Sequence, residues 1–347
     1  MSVTKEFFGY TRDGQAVFRY TLTNANDMEV QVISYGAALR SARVPDRHGR
    51  LADVLLGYDS LREYELRDGF FGALVGRVAN RLRLARFCID GTVYQLQPNE
   101  GENHLHGSFS FRVLDAEMGE NSLTFSFLSP DGEEGYPGNL SVTYRYTLTD
   151  DNRLTLDYTA TTDNATILNL TNHAYWNLGG HDSGDVLDTV LQMNCSQFTE
   201  TDRESLLTGN VFPVEGTAFD FRTPKPLGRD IDADHPMLRW ALGYDLNLVT
   251  DRPSMIQPVA TAYSPKTGIV MDYYTTQPGT QLYSGNYISL QPPRRGKGGV
   301  IYENRHGFCL ESQHCPCATD FPQFDTTVLR PGEVYRQSAA YQFSVKK

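Results

Sequence analysis

Apolar and polar residues alternate along Val30 to Tyr35, Leu123 to Phe127, Val142 to Leu148, Leu154 to Ala160, Gly268 to Thr275 and Ala340 to Val345. A period of two, rich in β-branched and aromatic residues, is the pattern of strands with one face buried. Turn chemistry separates the stretches at short intervals: Arg12-Asp13-Gly14-Gln15, Asp90-Gly91, Asp131-Gly132 and Asp150-Asp151-Asn152 each suit a tight reversal. Helical periodicity is scarce, and only Ser60 to Glu65 and Pro236 to Leu242 offer a turn or two. Pro292 to Gly299 reads as a loop. No repeat, low-complexity tract or linker divides the chain. The expected architecture is all-β, one large antiparallel β-sandwich spanning residues 1–347, with long excursions carrying the functional groups.

The 347 residues are 40% hydrophobic and 21% charged, enough apolar content to bury a large core. A formal charge of −11 disfavours nucleic acid and anionic lipid as partners, since both select Lys and Arg; a neutral small molecule is compatible. The first residues lack the apolar core of a secretory signal, and no run approaches the ~18 apolar residues of a membrane span. Five scattered cysteines, Cys88, Cys195, Cys309, Cys315 and Cys317, suit a reducing compartment, so a cytoplasmic location is expected.

The densest polar motif is Asn169 to Leu178, NLTNHAYWNL. It surrounds His173 with groups able to fix one imidazole tautomer, while Tyr175 and Trp176 offer flat faces of the kind that stack on a sugar ring. A lone histidine is more often a buried structural residue, so the reading depends on its company. A second group, NEGENHLHG, holds His104 and His106 two residues apart, which on an extended strand turns both rings toward one cleft. The spacing also suits a metal, with Glu102 or His173 as a third ligand, but no metal or cofactor is assigned. His306, Cys309, His314, Cys315 and Cys317 crowd together without a C-x-x-C pair, and the thiols read as packing.

Glu311, in GFCLESQH, shares a strand face with Cys309, opposite Phe308 and Leu310. Partial desolvation of an acid there raises its pKa toward the range of a general base. Arg77, Arg81, Arg83 and Arg86 could form a phosphate patch, a solvated edge, or a fork to substrate hydroxyls. Asp245 follows an aromatic residue and is uninformative alone.

At these residues the chain resembles the aldose 1-epimerase family, also called galactose mutarotases, of the large β-sandwich mutarotase fold. The shared motifs keep their order: Ser34-Tyr35-Gly36-Ala37, GRVANR, NEGENHLHG, DGEEGYPGNL, NLTNHAYWNL, QPGTQLYSGN, GKGGVIYENRHGFCLESQH and VLRPGEVY. The resemblance implies Glu311 as general base, His173 as general acid and His106 as the second active-site histidine, with Asn80, Arg81, Asp245 and Gln313 orienting sugar hydroxyls. The implied reaction opens a hexose such as galactose or glucose to its aldehyde, rotates about C1–C2 and recloses it. It needs no cofactor, and either a monomer or a homodimer suits it. Leu246 stands where a histidine is usual, the loop after His106 is shortened, and Cys315 and Cys317 replace residues that are usually aromatic and acidic. Two alternatives remain: a hexose-6-phosphate 1-epimerase using the arginines, or a sugar-binding protein without turnover. Glycoside hydrolysis fits less well because it generally uses two carboxylates.

Overall fold

A computed structural model describes residues 1–66, 69–289 and 295–346. Three antiparallel sheets carry most of the regular structure. All six expected strands are present, shifted at their ends: one stops at Ile33, another begins at Ile269, and the longest runs from Tyr335 to Val345. Each of the four turn signals falls between antiparallel partners. The two helical stretches are short, Leu61–Tyr64 and Pro236–Ala241. Of the expected loop at Pro292 to Gly299, residues 292–294 lie outside the described residues, and Lys297–Gly299 forms a 3-10 turn.

A nine-stranded sheet is the platform. Its central strands Leu140–Leu148 and Arg153–Thr162 bury alternate residues, among them Tyr144, Tyr146, Leu156 and Tyr158, as period-two patterning requires when one face meets the core. Such tyrosines add apolar ring area but need partners for their hydroxyls. Tyr146 donates to the Ala37 carbonyl beside the N-terminal five-stranded sheet (2.7 Å), and Tyr341 donates to the Leu310 carbonyl in the other five-stranded sheet (3.1 Å). A single cluster of buried residues joins all three sheets.

That second five-stranded sheet runs in the order Leu207–Pro213, Gln197–Thr201, Asp245–Val249, Gly279–Tyr283, Cys309–Gln313. Its last three strands face opposite ways in chemistry. Leu246, Leu248, Leu282 and Leu310 point into the core, whereas Asp245, Asn247, Gln281, Tyr283, Cys309, Glu311 and Gln313 share the other face, in the register Asp245 opposite Tyr283, Asn247 opposite Gln281 and Gln281 opposite Glu311. Leu246 is therefore a core residue, and its departure from the family pattern lies on the apolar side of the strand.

Arg77 holds the loop beneath the site. The sequence leaves it as a patch or surface residue, but it is fully buried. Its guanidinium donates to the carbonyls of Ser129, Pro130, Pro137 and Gly138 and to the hydroxyls of Ser129 and Thr166, at 2.9–3.2 Å. Only a planar five-donor fork serves so many acceptors at once. Replacing it with methionine strands these oxygens without donors, so Arg77→Met is expected to lower unfolding free energy by about 3 kcal/mol or more in urea titration. A loss under about 1 kcal/mol would mean that the oxygens find other partners.

Candidate active site

The histidine segment and the glutamate strand are tied together by backbone. Trp176 N–H donates to the Phe308 carbonyl (2.7 Å) and Phe308 N–H returns the bond (3.0 Å). Carrying that antiparallel register three residues back from Trp176 and three on from Phe308 places His173 opposite Glu311. On the other side of the segment, Thr171–Asn172 pairs with Leu74–Val75, and His173 bonds through its backbone to Ala73 and Gly72. The result is a 3.7 Å approach between His173 Nε2 and Glu311 Oε1.

Both groups line an open cavity of about 800 Å³, together with Asn80, Arg81, His106, Tyr175 and Asp245. Seven of the eight side chains singled out from the sequence thus converge there. Gln313 does not. It is fully buried two residues beyond Glu311 on the same strand face, where its amide donates to Asn247 Oδ1 (3.0 Å) and Gln281 Oε1 (2.9 Å). Gln281 reaches the cavity instead and donates to Asp245 Oδ1 at 2.6 Å.

Several expectations about His173's neighbours need correcting. Asn172 and Asn177 do not hold the imidazole; their amides brace backbone carbonyls at Gly72, Gly184 and His306. Trp176 offers no face to a ligand, because strand alternation turns it inward against Tyr341 and Phe343. Tyr175 lies parallel to the imidazole, ring centroids 4.9 Å apart, and Phe70 lies on a further near-parallel plane at 5.9 Å. Cys309, expected to be packing only, puts its sulfur 3.5 Å from His173 Nδ1.

His104 and His106 do not share the cleft. The strand ends at Leu105, and His106 adopts a left-handed backbone (φ 63°), which breaks the alternation that would align the rings. His104 is buried against Tyr136 with Nδ1 2.7 Å from the Gln97 carbonyl. His106 faces the cavity, and its Nδ1 accepts from the backbone N–H of Asn80 (3.1 Å). Asn80 is itself left-handed (φ 67°), a conformation asparagine tolerates. A neutral His106 accepting at Nδ1 carries its proton on Nε2.

Burial governs the charges. It pushes the His173 imidazole down to about 4, as the flanking aromatic rings imply, and it holds His106 well below the usual histidine range, with nearby His173 and Arg81 adding to the effect. It also raises Glu311 well above the usual carboxylate range, reinforced by Asp245 and opposed by Arg81. Asp245 is raised by burial against the pull of Arg81. Desolvation thus disfavours both charged forms of the pair, the imidazolium and the carboxylate.

The arginines disperse. Arg81 lines the cavity but is gripped by Glu100 through two bonds, 2.7 and 2.8 Å. Arg83 pairs with Asp202 (3.1 Å), Arg86 is exposed and Arg77 is enclosed. Sequence reasoning missed Gln281, although it lies in QPGTQLYSGN and faces Glu311 across the sheet. It also missed Phe70, for which DGFFG gives no periodic signal. Trp240 and Tyr287, 41% and 43% exposed, form an aromatic rim.

The aldose 1-epimerase family profile matches residues 19–342. Galactose mutarotase of Sus scrofa is 39% identical over 348 aligned residues, covering 99% of both chains. Aldose 1-epimerase of Escherichia coli strain K12 is 36% identical across 95% of this chain and 96% of its own. Among solved structures, the GalM/aldose epimerase homologue of C. elegans superposes with a TM-score of 0.87 at 30% identity, covering 99% of this chain and all of that one. This protein is an enzyme that interconverts sugar anomers. The chain belongs to the aldose 1-epimerase family.

A depressed pKa means that the neutral imidazole persists to lower pH. His173 is therefore expected to show no titration between about pH 5 and 8 in histidine ring NMR of the sugar-free enzyme. A midpoint near the unperturbed ~6.5 would show that the aromatic enclosure does not exclude water.

Proposed function

We propose that the substrate is a neutral hexopyranose such as galactose or glucose, with Glu311 as general base at the C1 hydroxyl and His173 as general acid at the ring oxygen. The observation that carries this reading is the 3.7 Å approach of the two groups on the wall of an open polar cavity. Ring opening removes one proton from O1 and delivers one to O5, with no net change. The pair holds a single mobile proton, whether written as carboxylic acid with imidazole or as carboxylate with imidazolium. Sugar hydroxyls that donate to Glu311 favour its anionic form and return the proton to His173. His106 offers an Nε2–H donor beside them, while Arg81, Asp245, Asn80 and Gln281 fix the register of the ring.

Galactose stands among the candidate substrates because relatives such as the Sus scrofa enzyme carry the name galactose mutarotase. A phosphorylated sugar suits the cavity poorly: among the described residues, Glu100, Glu134, Glu204, Asp245 and Glu311 face only Arg81 and Arg203, and Arg81 is already paired. The chain works as one unit in this reading, because the site draws on residues from Phe70 to Glu311. A reducing cytoplasm is consistent with five free cysteines. No helix of the described residues is long and apolar enough to cross a membrane.

Optical rotation of fresh α-galactose and α-glucose, with and without the protein, tests activity and preference together. Glu311→Gln and His173→Asn are each expected to slow exchange by ~10²–10⁴-fold while galactose binding, measured by calorimetry, survives; normal exchange in either variant would remove that residue from its role. Excess glucose 6-phosphate is expected to leave galactose exchange unchanged, and strong competition would point to the phosphosugar as substrate.

A further inference from the structure

The acid/base reading gives Cys309 nothing to do, yet its thiol shares a strand face with Glu311 and lies 3.5 Å from His173 Nδ1. One ligand atom from each of His173, Cys309 and Glu311 lies within 4.8 Å of the others, and all three side chains are buried. Among the described residues this is the one such group of three. A tetrahedral ion holding sulfur at ~2.3 Å and imidazole nitrogen at ~2.0–2.1 Å separates those two atoms by about 3.5 Å. The sulfur and Nδ1 already stand at that spacing, while the Glu311 carboxylate, 3.7 Å from Nε2 on the other side of the ring, must turn with the imidazole to complete the set.

We propose that His173, Cys309 and Glu311 form a binding site for a borderline or soft divalent cation of the zinc or cadmium type, entered through the sugar cavity and exclusive with sugar. A thiolate, an imidazole and one carboxylate are the donor set of such ions and not of magnesium or calcium. Three protein ligands leave a fourth position, which water fills. Binding releases the thiol proton, and the carboxyl proton where present, to solvent. The thiolate and carboxylate then cancel the two charges of the ion, so the filled site is neutral, as its enclosure by Phe70 and Tyr175 favours. The consequence for turnover rests on the acid/base assignment above: with both groups held as ligands, the enzyme has no proton-transfer pair, and the cation inhibits competitively with the sugar.

Cadmium chloride titrated into the metal-free full chain tests the ligand set without reference to activity, through the ultraviolet thiolate-to-cadmium charge-transfer band. One equivalent is expected to saturate the band, and saturating galactose to weaken cadmium binding. Cys309→Ala is expected to abolish the band and weaken binding by about 100-fold or more, since even outer-shell partners of a metal cost 10–100-fold. Cys309→Ser, closer in size, is expected to lose the band as well, and circular dichroism checks that both variants fold. No band in the wild-type protein, or an undiminished band in both variants, would overturn the site. Cadmium that binds through Cys309 but leaves anomer exchange intact would instead overturn the competition, faulting the roles given to His173 and Glu311 and not the ligands.

Discussion

Two backbone hydrogen bonds between Trp176 and Phe308 hold the site together. They join segments more than a hundred residues apart and fix the antiparallel register by which His173 meets Glu311. A shift of one residue in a strand would send Glu311 to the opposite face, among the leucines. The apolar side of the sheet prevents that slip: Leu246, Leu282 and Leu310 must all remain in the core. Packing on one face thus determines chemistry on the other.

The same burial that secures the register sets the charges. Tyr175 and Phe70 lie on near-parallel planes beside the imidazole, and Glu311 is enclosed beside Asp245, so each charged form loses hydration that its partner replaces only in part. Burial therefore weighs against charge on both His173 and Glu311 until a ligand supplies partners.

Much of this was legible in the sequence, for identifiable reasons. Period-two alternation and aspartate-glycine turns reported sheets correctly because strands such as Leu140–Leu148 bury every second residue, and the same two-residue period separated Glu311 from Leu310 on a strand buried on both faces. It failed at His106, where a left-handed residue ends the alternation and sends His104 to the other side. Nor does alternation say how far along a strand the cavity extends: Gln313, which the family resemblance implied as a sugar contact, is buried behind the wall that Gln281 supplies. Arg77 was hidden because an arginine in a polar run reads as solvated, whereas the carbonyls that enclose it come from residues 129–138, brought close only by folding. Phe70 and Cys309 acquire their relation to His173 through contacts that no local pattern encodes.

The amides behind the cavity wall form a row of fixed polarity in which Gln313 donates to both neighbours. Asn247 turns its nitrogen toward the Cys315 sulfur (3.7 Å), which leaves its oxygen to receive Gln313; Gln313 then gives to the Gln281 oxygen, and Gln281 gives to Asp245. Reversing any one amide would set like poles against each other along the row. Cys315 does not line the cavity, yet its sulfur takes the Asn247 nitrogen and so stands at the far end of the row of amides whose other end reaches Asp245 on the wall.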